Sequence, residues 1–115
     1  MGKLSHEARE LSLYAINDGA LYRSRIQPII ANLQRKIRKG TFDPKLALKL
    51  WRYAADDAAK RYNREFSGPV KGYGPFDVSV RSEVARELAD YYDEQVRELA
   101  PMRSNPRRRV MQKGS

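Results

Sequence analysis

His6 is the only histidine in this chain, and there is no cysteine. A Ser–His–Asp nucleophile would have to run through His6, in the fraying first turn of the first helix. Carboxylate-bridged metal pairs in helical bundles need two Glu-x-x-His motifs; one histidine, preceded three residues earlier by Lys3, excludes them. Without cysteine, zinc–thiolate, iron–sulfur and disulfide chemistry fall away. Asp56 and Asp57 are neighbours on a helical stretch, about 100° apart around its axis, and so form no acid pair. Glu83 and Glu87 stand one helical turn apart, but nothing in the sequence marks a cleft beside them. Gly72-Tyr73-Gly74 lacks the Gly-Lys-Ser/Thr of a phosphate loop and a preceding strand, and reads as a turn. No catalytic residue, metal or cofactor is expected, and the chain reads as a binding protein rather than an enzyme.

The chemistry left is ionic. Twenty-three Lys and Arg face fourteen Asp and Glu, a net charge of +9. Such a field favours anionic partners, whether nucleic acid, an acidic protein surface or anionic lipid headgroups; nucleic acid or an acidic protein surface is the partner expected, with no membrane and no small-molecule substrate. The charge is also segregated. Residues 21–64 hold twelve basic side chains against three acidic ones, residues 77–99 hold three against seven, and residues 101–115 hold five against none. Arg35, Lys36, Arg38 and Lys39 crowd the end of one helix. Lys45, Lys49 and Arg52 open the next at i, i+4, i+7, which places them on one face. These seven are the candidate nucleic-acid contacts, joined by Arg107, Arg108 and Arg109 in the tail. The contrary reading of the helical cluster is a solvated face that complements the negative helix end. Glu83, Glu87, Asp90 and Glu94 form an acidic stripe at i, i+4, i+7, i+11, the candidate protein-interaction face. It has three uses: pairing with the basic helices of the same chain, self-association with a second copy, or mimicry of nucleic acid toward a basic partner. An ordinary solvated face is the alternative.

Helices must position these groups, since nowhere do β-branched residues alternate over a useful length. A first helix over about 5–17 has Ser5 as N-cap and Glu7 in its first turn, with Leu4, Ala8, Leu11 and Ala15 at helical spacing. Asn17-Asp18-Gly19 turns the chain, and Asp18 is placed to cap the next helix. That second helix, about 20–39, carries Ile26, Ile29, Ile30, Leu33 and Ile37 on one stripe and stops at Gly40. Pro28 predicts either a kink or two separate helices, because it removes one hydrogen bond and clashes with the preceding turn. A third helix begins with Asp43 as N-cap and Pro44 at its first position. Its inward face is Ala47, Trp51, Ala54, Ala58, Tyr62 and Phe66. Residues 67–76, with three glycines and two prolines, form a loop that Tyr73 and Phe76 pin to the helices. A fourth helix over about 79–99 faces Val80, Val84, Leu88, Tyr91 and Leu99 inward, with Ala85, Tyr92 and Val96 alongside. The expected fold is all-α, a compact four-helix bundle over 1–100, followed by a flexible, disordered basic tail over 101–115. Trp51 and Tyr62 belong to the core, whereas Tyr53 and Tyr22 are the candidates for exposed stacking surfaces. The third helix opens on Asp43-Pro44, a poor base-reading end, so contact with nucleic acid is expected at the backbone, without sequence specificity.

From Leu11 to Phe66 the chain resembles a family of small uncharacterised proteins encoded by tailed bacteriophages. The resemblance lies in Leu13-Tyr14 with Asn17-Asp18-Gly19, Leu21-Tyr22-Arg23, Ile29-Ile30-Ala31-Asn32-Leu33, Lys39-Gly40 with Asp43, and Ala47-Leu48-Lys49-Leu50-Trp51. Ala58-Ala59-Lys60-Arg61-Tyr62 and Glu65-Phe66 continue it, and Val80-Arg81 and 85–88 match more loosely. The basic tail departs from the pattern. The resemblance implies a phage origin and an accessory role, and no activity. No apolar run of about 18 residues is present to span a membrane, and residues 1–7 show no signal-peptide core. The expected location is the cytoplasm of a bacterial host cell. The function expected is an accessory protein that binds nucleic acid or a nucleoprotein complex through its basic helical hairpin. The alternative is a protein-interaction module, directed at a host machine or packed in a virion.

Overall fold

The computed structural model describes residues 4–67 and 72–99. Among the described residues every regular element is helical, as expected: α1 (His6–Asn17), α2 (residues 19–39), α3 (Pro44–Ser67) and α4 (Val78–Leu99). Arg107, Arg108, Arg109 and the rest of the tail lie outside the described residues, as does the side chain of Leu99.

Local chemistry sets the boundaries. The Ser5 hydroxyl accepts from the Ala8 amide at 3.1 Å, satisfying one of the donors that a helix start leaves unpaired. Asp18 repeats the device for α2, accepting from the Ala20 amide, and Asp43 does so for α3, accepting from the Lys45 amide at 3.0 Å. Gly40 ends α2 in the left-handed conformation, φ 76°. Its N–H donates to the Ile37 carbonyl and the Thr41 N–H to the Lys36 carbonyl, closing the last turn. α4 starts at Val78 with Asp77 as its cap: the Asp77 carboxylate accepts from the Val80 amide at 3.0 Å and from the Ser79 hydroxyl. Those two bonds, the backbone one foremost, hold the Asp77 carboxyl below its ordinary pKa.

α2 neither splits at Pro28 nor stops before it. A short α-helical stretch, Gly19–Leu21, leads into a π-helical turn, Tyr22–Ile26, and α-helix resumes at Gln27–Lys39. Backbone angles stay right-handed helical through Leu21, Tyr22, Ile26 and Gln27. The Gln27 N–H donates to the Tyr22 carbonyl, five residues back. The wider π turn just before Pro28 gives the ring room against the preceding carbonyls.

The core runs through all four helices. Ala8, Leu11 and Ala15 of α1, Ile26, Ile29, Ile30 and Leu33 of α2, and Val84, Leu88 and Val96 of α4 are buried. α3 contributes Ala47, Ala54, Ala55, Ala58 and Ala59 around Trp51, and this alanine face lets its neighbours approach closely. The Trp51 ring stacks on Tyr92, centroids 5.5 Å apart and planes 9° from parallel. Two inward expectations change. Tyr91 is 56% exposed and Tyr92 is buried: the inward row of α4 follows strict four-residue steps from Val80 to Val96, and Tyr92 is where that row meets Trp51. Phe66 is 62% exposed; on that turn of α3 the buried residue is Asn63, whose amide donates to the Gly72 carbonyl of the loop. Phe76 is buried edge-on against Tyr62, and the Arg81 guanidinium lies 3.7 Å from the Tyr73 ring centroid, so both aromatics pin the described part of the loop.

α3 and α4 form the most extensive helix pair, and α1 packs across both. The Gln27–Lys39 part of α2 leans chiefly on α4 rather than on α3, although the Gly40–Asp43 turn joins it to α3. This leaves a cleft along each side of α3's outer face.

Candidate nucleic-acid interface

Pro44 starts α3 in a phase that sends its alanines inward and its lysines outward. Lys45 and Lys49 are exposed, as are Lys60 and Arg64 farther along. Exposed Leu46 and Tyr53 lie between them. Three of the twelve cations in residues 21–64 stand in ion pairs: Arg25, Arg52 and Arg61. The other nine have no carboxylate partner among the described residues.

The two aspartates that make these pairs point apart, as adjacent helical positions require. Asp56 faces α4 and takes two guanidinium groups, Arg52 at 3.0 Å and Arg81 at 2.9 Å. Asp57 faces α2 and also takes two, Arg61 at 3.1 Å and Arg25 at 3.5 Å. Each carboxylate thus leaves one positive charge in surplus on its side of α3. Arg81 is the most enclosed of the four; its Nε also donates to the Phe76 carbonyl at 3.0 Å.

Between α3 and α4 a groove of about 290 Å³ is lined by Lys45, Leu48, Lys49, Arg52, Ser82, Ala85 and Arg86. Four of its lining residues are cationic and none is acidic. Arg52 is fixed across it, donating to the Ser82 hydroxyl at 3.1 Å as well as to Asp56. Arg86 is the member that the sequence reading missed. It sits in the acidic helix, and only the packing of α4 on α3 turns it toward the lysines; no signal in the one-dimensional pattern singles it out.

Arg35, Lys36, Arg38 and Lys39 lie on the last turns of α2, all exposed but Lys36, which is half-buried. The Gly40–Asp43 turn carries the chain from them directly to Lys45. The seven helical cations nominated from the sequence therefore flank one turn, four before it and three after it. Lys45, Lys49 and Arg52 are brought together in the α3–α4 groove.

The acidic stripe of α4 makes no ion pair with these cations among the described residues, although Arg86 also lines the groove that holds Asp90. Glu87 is half-buried, Asp90 and Glu94 are exposed, and none of the three has an ion-pair partner among the described residues. Glu83 is engaged elsewhere, accepting from the Ser5 hydroxyl at 2.8 Å and so tying the start of α1 to α4. Asp90 lines a further groove of about 240 Å³ with Leu33, Phe42, Trp51 and Val96 on its apolar wall. At its rim Asp93 pairs with Arg97 at 2.9 Å.

The aromatic cluster at the other end of the bundle is structural. Tyr62 donates to Glu10 at 2.7 Å and Tyr14 to Glu65 at 3.0 Å, and their rings meet edge-on at 5.3 Å. Burial and the Glu65 carboxylate push the Tyr14 hydroxyl well above its ordinary pKa. His6 is exposed, 3.9 Å from Glu10. Among the described residues no three His, Cys, Asp or Glu are grouped to hold a metal ion, and no helix is long and apolar enough to cross a membrane. No family model matches this chain, and neither a curated protein nor a solved structure does.

Proposed function

We propose that this chain is an accessory protein, of the phage type its sequence resembles, that binds nucleic acid through the phosphate backbone and without sequence specificity. The observation that carries the reading is the α3–α4 groove, where Lys45, Lys49, Arg52 and Arg86 converge with no carboxylate on the wall. A groove walled by cations of one sign focuses its field outward and draws in polyanions. Phosphates neutralised there release their counterions, which drives binding at low salt. Arg35, Lys36, Arg38 and Lys39 extend the positive surface across the neighbouring turn, and Arg107, Arg108 and Arg109 supply further contacts from the tail. Fluorescence anisotropy with duplex DNA, single-stranded DNA and RNA at low salt tests this. Micromolar or tighter binding is expected, with loss of at least tenfold for Lys45→Glu/Lys49→Glu, which exchanges attraction for repulsion at two contacts. No binding at low salt, or binding indifferent to the double substitution, contradicts it.

A second reading, a protein-interaction module, is favoured by one specific observation. Exposed Tyr91 stands beside half-buried Glu87 and exposed Glu94, carboxylates with no ion-pair partner among the described residues, a surface suited to a basic partner, a second copy of the chain included. Light scattering at low and high salt tests the self-associating form: an oligomer that dissociates in salt supports it, and a monomer throughout removes it.

A further inference from the structure

On the other side of α3 from the cationic groove lies a second cleft, between α2 and α3. Its volume is about 200 Å³, and its lining includes Ser24, Arg25, Ile29, Asn32, Leu50 and Tyr53. Three of its lining residues bring polar groups to it. Tyr53 is 54% exposed, and its hydroxyl makes no hydrogen bond among the described residues. The Asn32 side-chain oxygen is buried with no hydrogen-bond partner among the described residues, an unfavourable arrangement in a protein interior. Arg25 stands at the cleft half-exposed, sharing Asp57 with Arg61. The floor, Ile29 and Leu50, is apolar.

A cleft with apolar side chains, an exposed ring, an amide and a cation in its lining matches the requirements of an unstacked nucleobase. Bases in single strands stack on exposed aromatic rings and hydrogen-bond through edges that a duplex hides. A side-chain amide offers one acceptor and two donors, and every base edge carries a complement to them. Because the Asn32 oxygen has no hydrogen-bond partner among the described residues, turning the amide toward a base breaks no hydrogen bond from them to that oxygen. The two clefts are also linked. Lys49 lines the cationic groove and Tyr53 lines this one, four residues apart on the same outer face of α3, which makes them neighbours.

We infer that the α2–α3 cleft is a nucleobase pocket: a single strand lays its phosphates on Lys45, Lys49 and Arg86 and turns a base over the α3 ridge onto Tyr53, against the Asn32 amide. The inference rests on the nucleic-acid reading above and sharpens it, since it makes single strands rather than duplexes the preferred ligand. It also explains a preference without sequence specificity, because every base has a face to stack.

Binding of three labelled probes of equal length tests it: single-stranded DNA, the same strand made abasic, and duplex. Wild-type protein is expected to bind the single strand at least tenfold more tightly than the abasic strand, which has the same charge and no bases. Tyr53→Ala is expected to weaken single-strand binding about tenfold, the equivalent of one lost stack, and to leave duplex and abasic binding unchanged. Tyr53→Phe keeps the ring and is expected to bind as wild type. Asn32→Ala is expected to cost about two- to tenfold on the single strand alone. An abasic strand bound as tightly as the normal one, or equal losses on all three probes for Tyr53→Ala, overturns the pocket while leaving the phosphate-binding reading intact. Failure of every probe to bind at low salt overturns both.

Discussion

Asp56 and Asp57 show how one residue step around a helix separates two jobs. The Asp56 carboxylate holds Arg52 at the mouth of the cationic groove and Arg81 under the loop. Arg81 is only 9% exposed, so removing its counter-ion leaves a nearly buried charge, an expensive state. Asp56→Ala is expected to lower unfolding free energy by about 2 kcal/mol, less than for a fully enclosed pair because Asp56 itself keeps some solvent. Asp57→Ala touches the more exposed pairs with Arg25 and Arg61 and is expected to cost under about 1 kcal/mol. Urea unfolding of the two variants measures the contrast. Tyr92 gives a second residue-scale expectation. Burial first, then the neighbouring Tyr91 and Tyr22, push its hydroxyl from 10.0 up to about 12. A folded value above the unfolded one means the stabilisation is whole below about pH 10 and drains away as pH rises toward 12. Stability followed by circular dichroism is therefore expected to fall across that window, and Tyr92→Phe, which cannot ionise, to fall less steeply. Most of this residue chemistry was beyond the reach of the sequence. That Asp56 and Asp57 diverge follows from helix geometry alone, but which arginines they meet depends on where α2 and α4 pass. Arg86 is the clearest case, hidden in an acidic helix until packing turns it toward Lys45 and Lys49.

At the scale of elements, the caps were legible because each is decided by one residue acting on amides two or three positions away. Ser5, Asp18, Asp43 and Gly40 all act where the sequence places them. The π turn of α2 was not legible, since apolar spacing reports a helix but not its hydrogen-bond register. The Tyr91–Tyr92 exchange has the same origin: both positions suit a helical stripe, and the one chosen is the one that meets Trp51. Glycines test the turn chemistry. Gly40 has φ 76°, and a Cβ there would meet nothing within 4 Å, so Gly40→Ala is expected to cost only the left-handed strain, about 1 kcal/mol. At Gly74, φ 62°, a Cβ would come within 2.5 Å of the Asn63 side-chain oxygen. Gly74→Ala must displace a buried amide as well as strain the backbone, and is expected to cost at least twice as much in thermal or urea unfolding.

For the whole molecule, composition sets a net charge of +9, and the fold sets where that charge is felt. The cations of residues 21–64 are not cancelled by the acidic helix: among the described residues, none of them pairs with Glu83, Glu87, Asp90 or Glu94. They surround α3 instead, with surplus charge on both of its sides and an exposed tyrosine on its crest. The proposed function requires that Lys45 and Lys49, in the groove with Arg52 and Arg86, touch phosphates. Its most direct test is the slope of log binding constant against log salt concentration for single-stranded DNA, compared between wild type and Lys45→Gln/Lys49→Gln. Two lost phosphate contacts are expected to make the slope shallower by about 1.4, at about 0.7 for each contact on a single strand. An unchanged slope, with affinity either kept or lost, would mean that these lysines do not meet the backbone, and the interface proposed around them would be wrong.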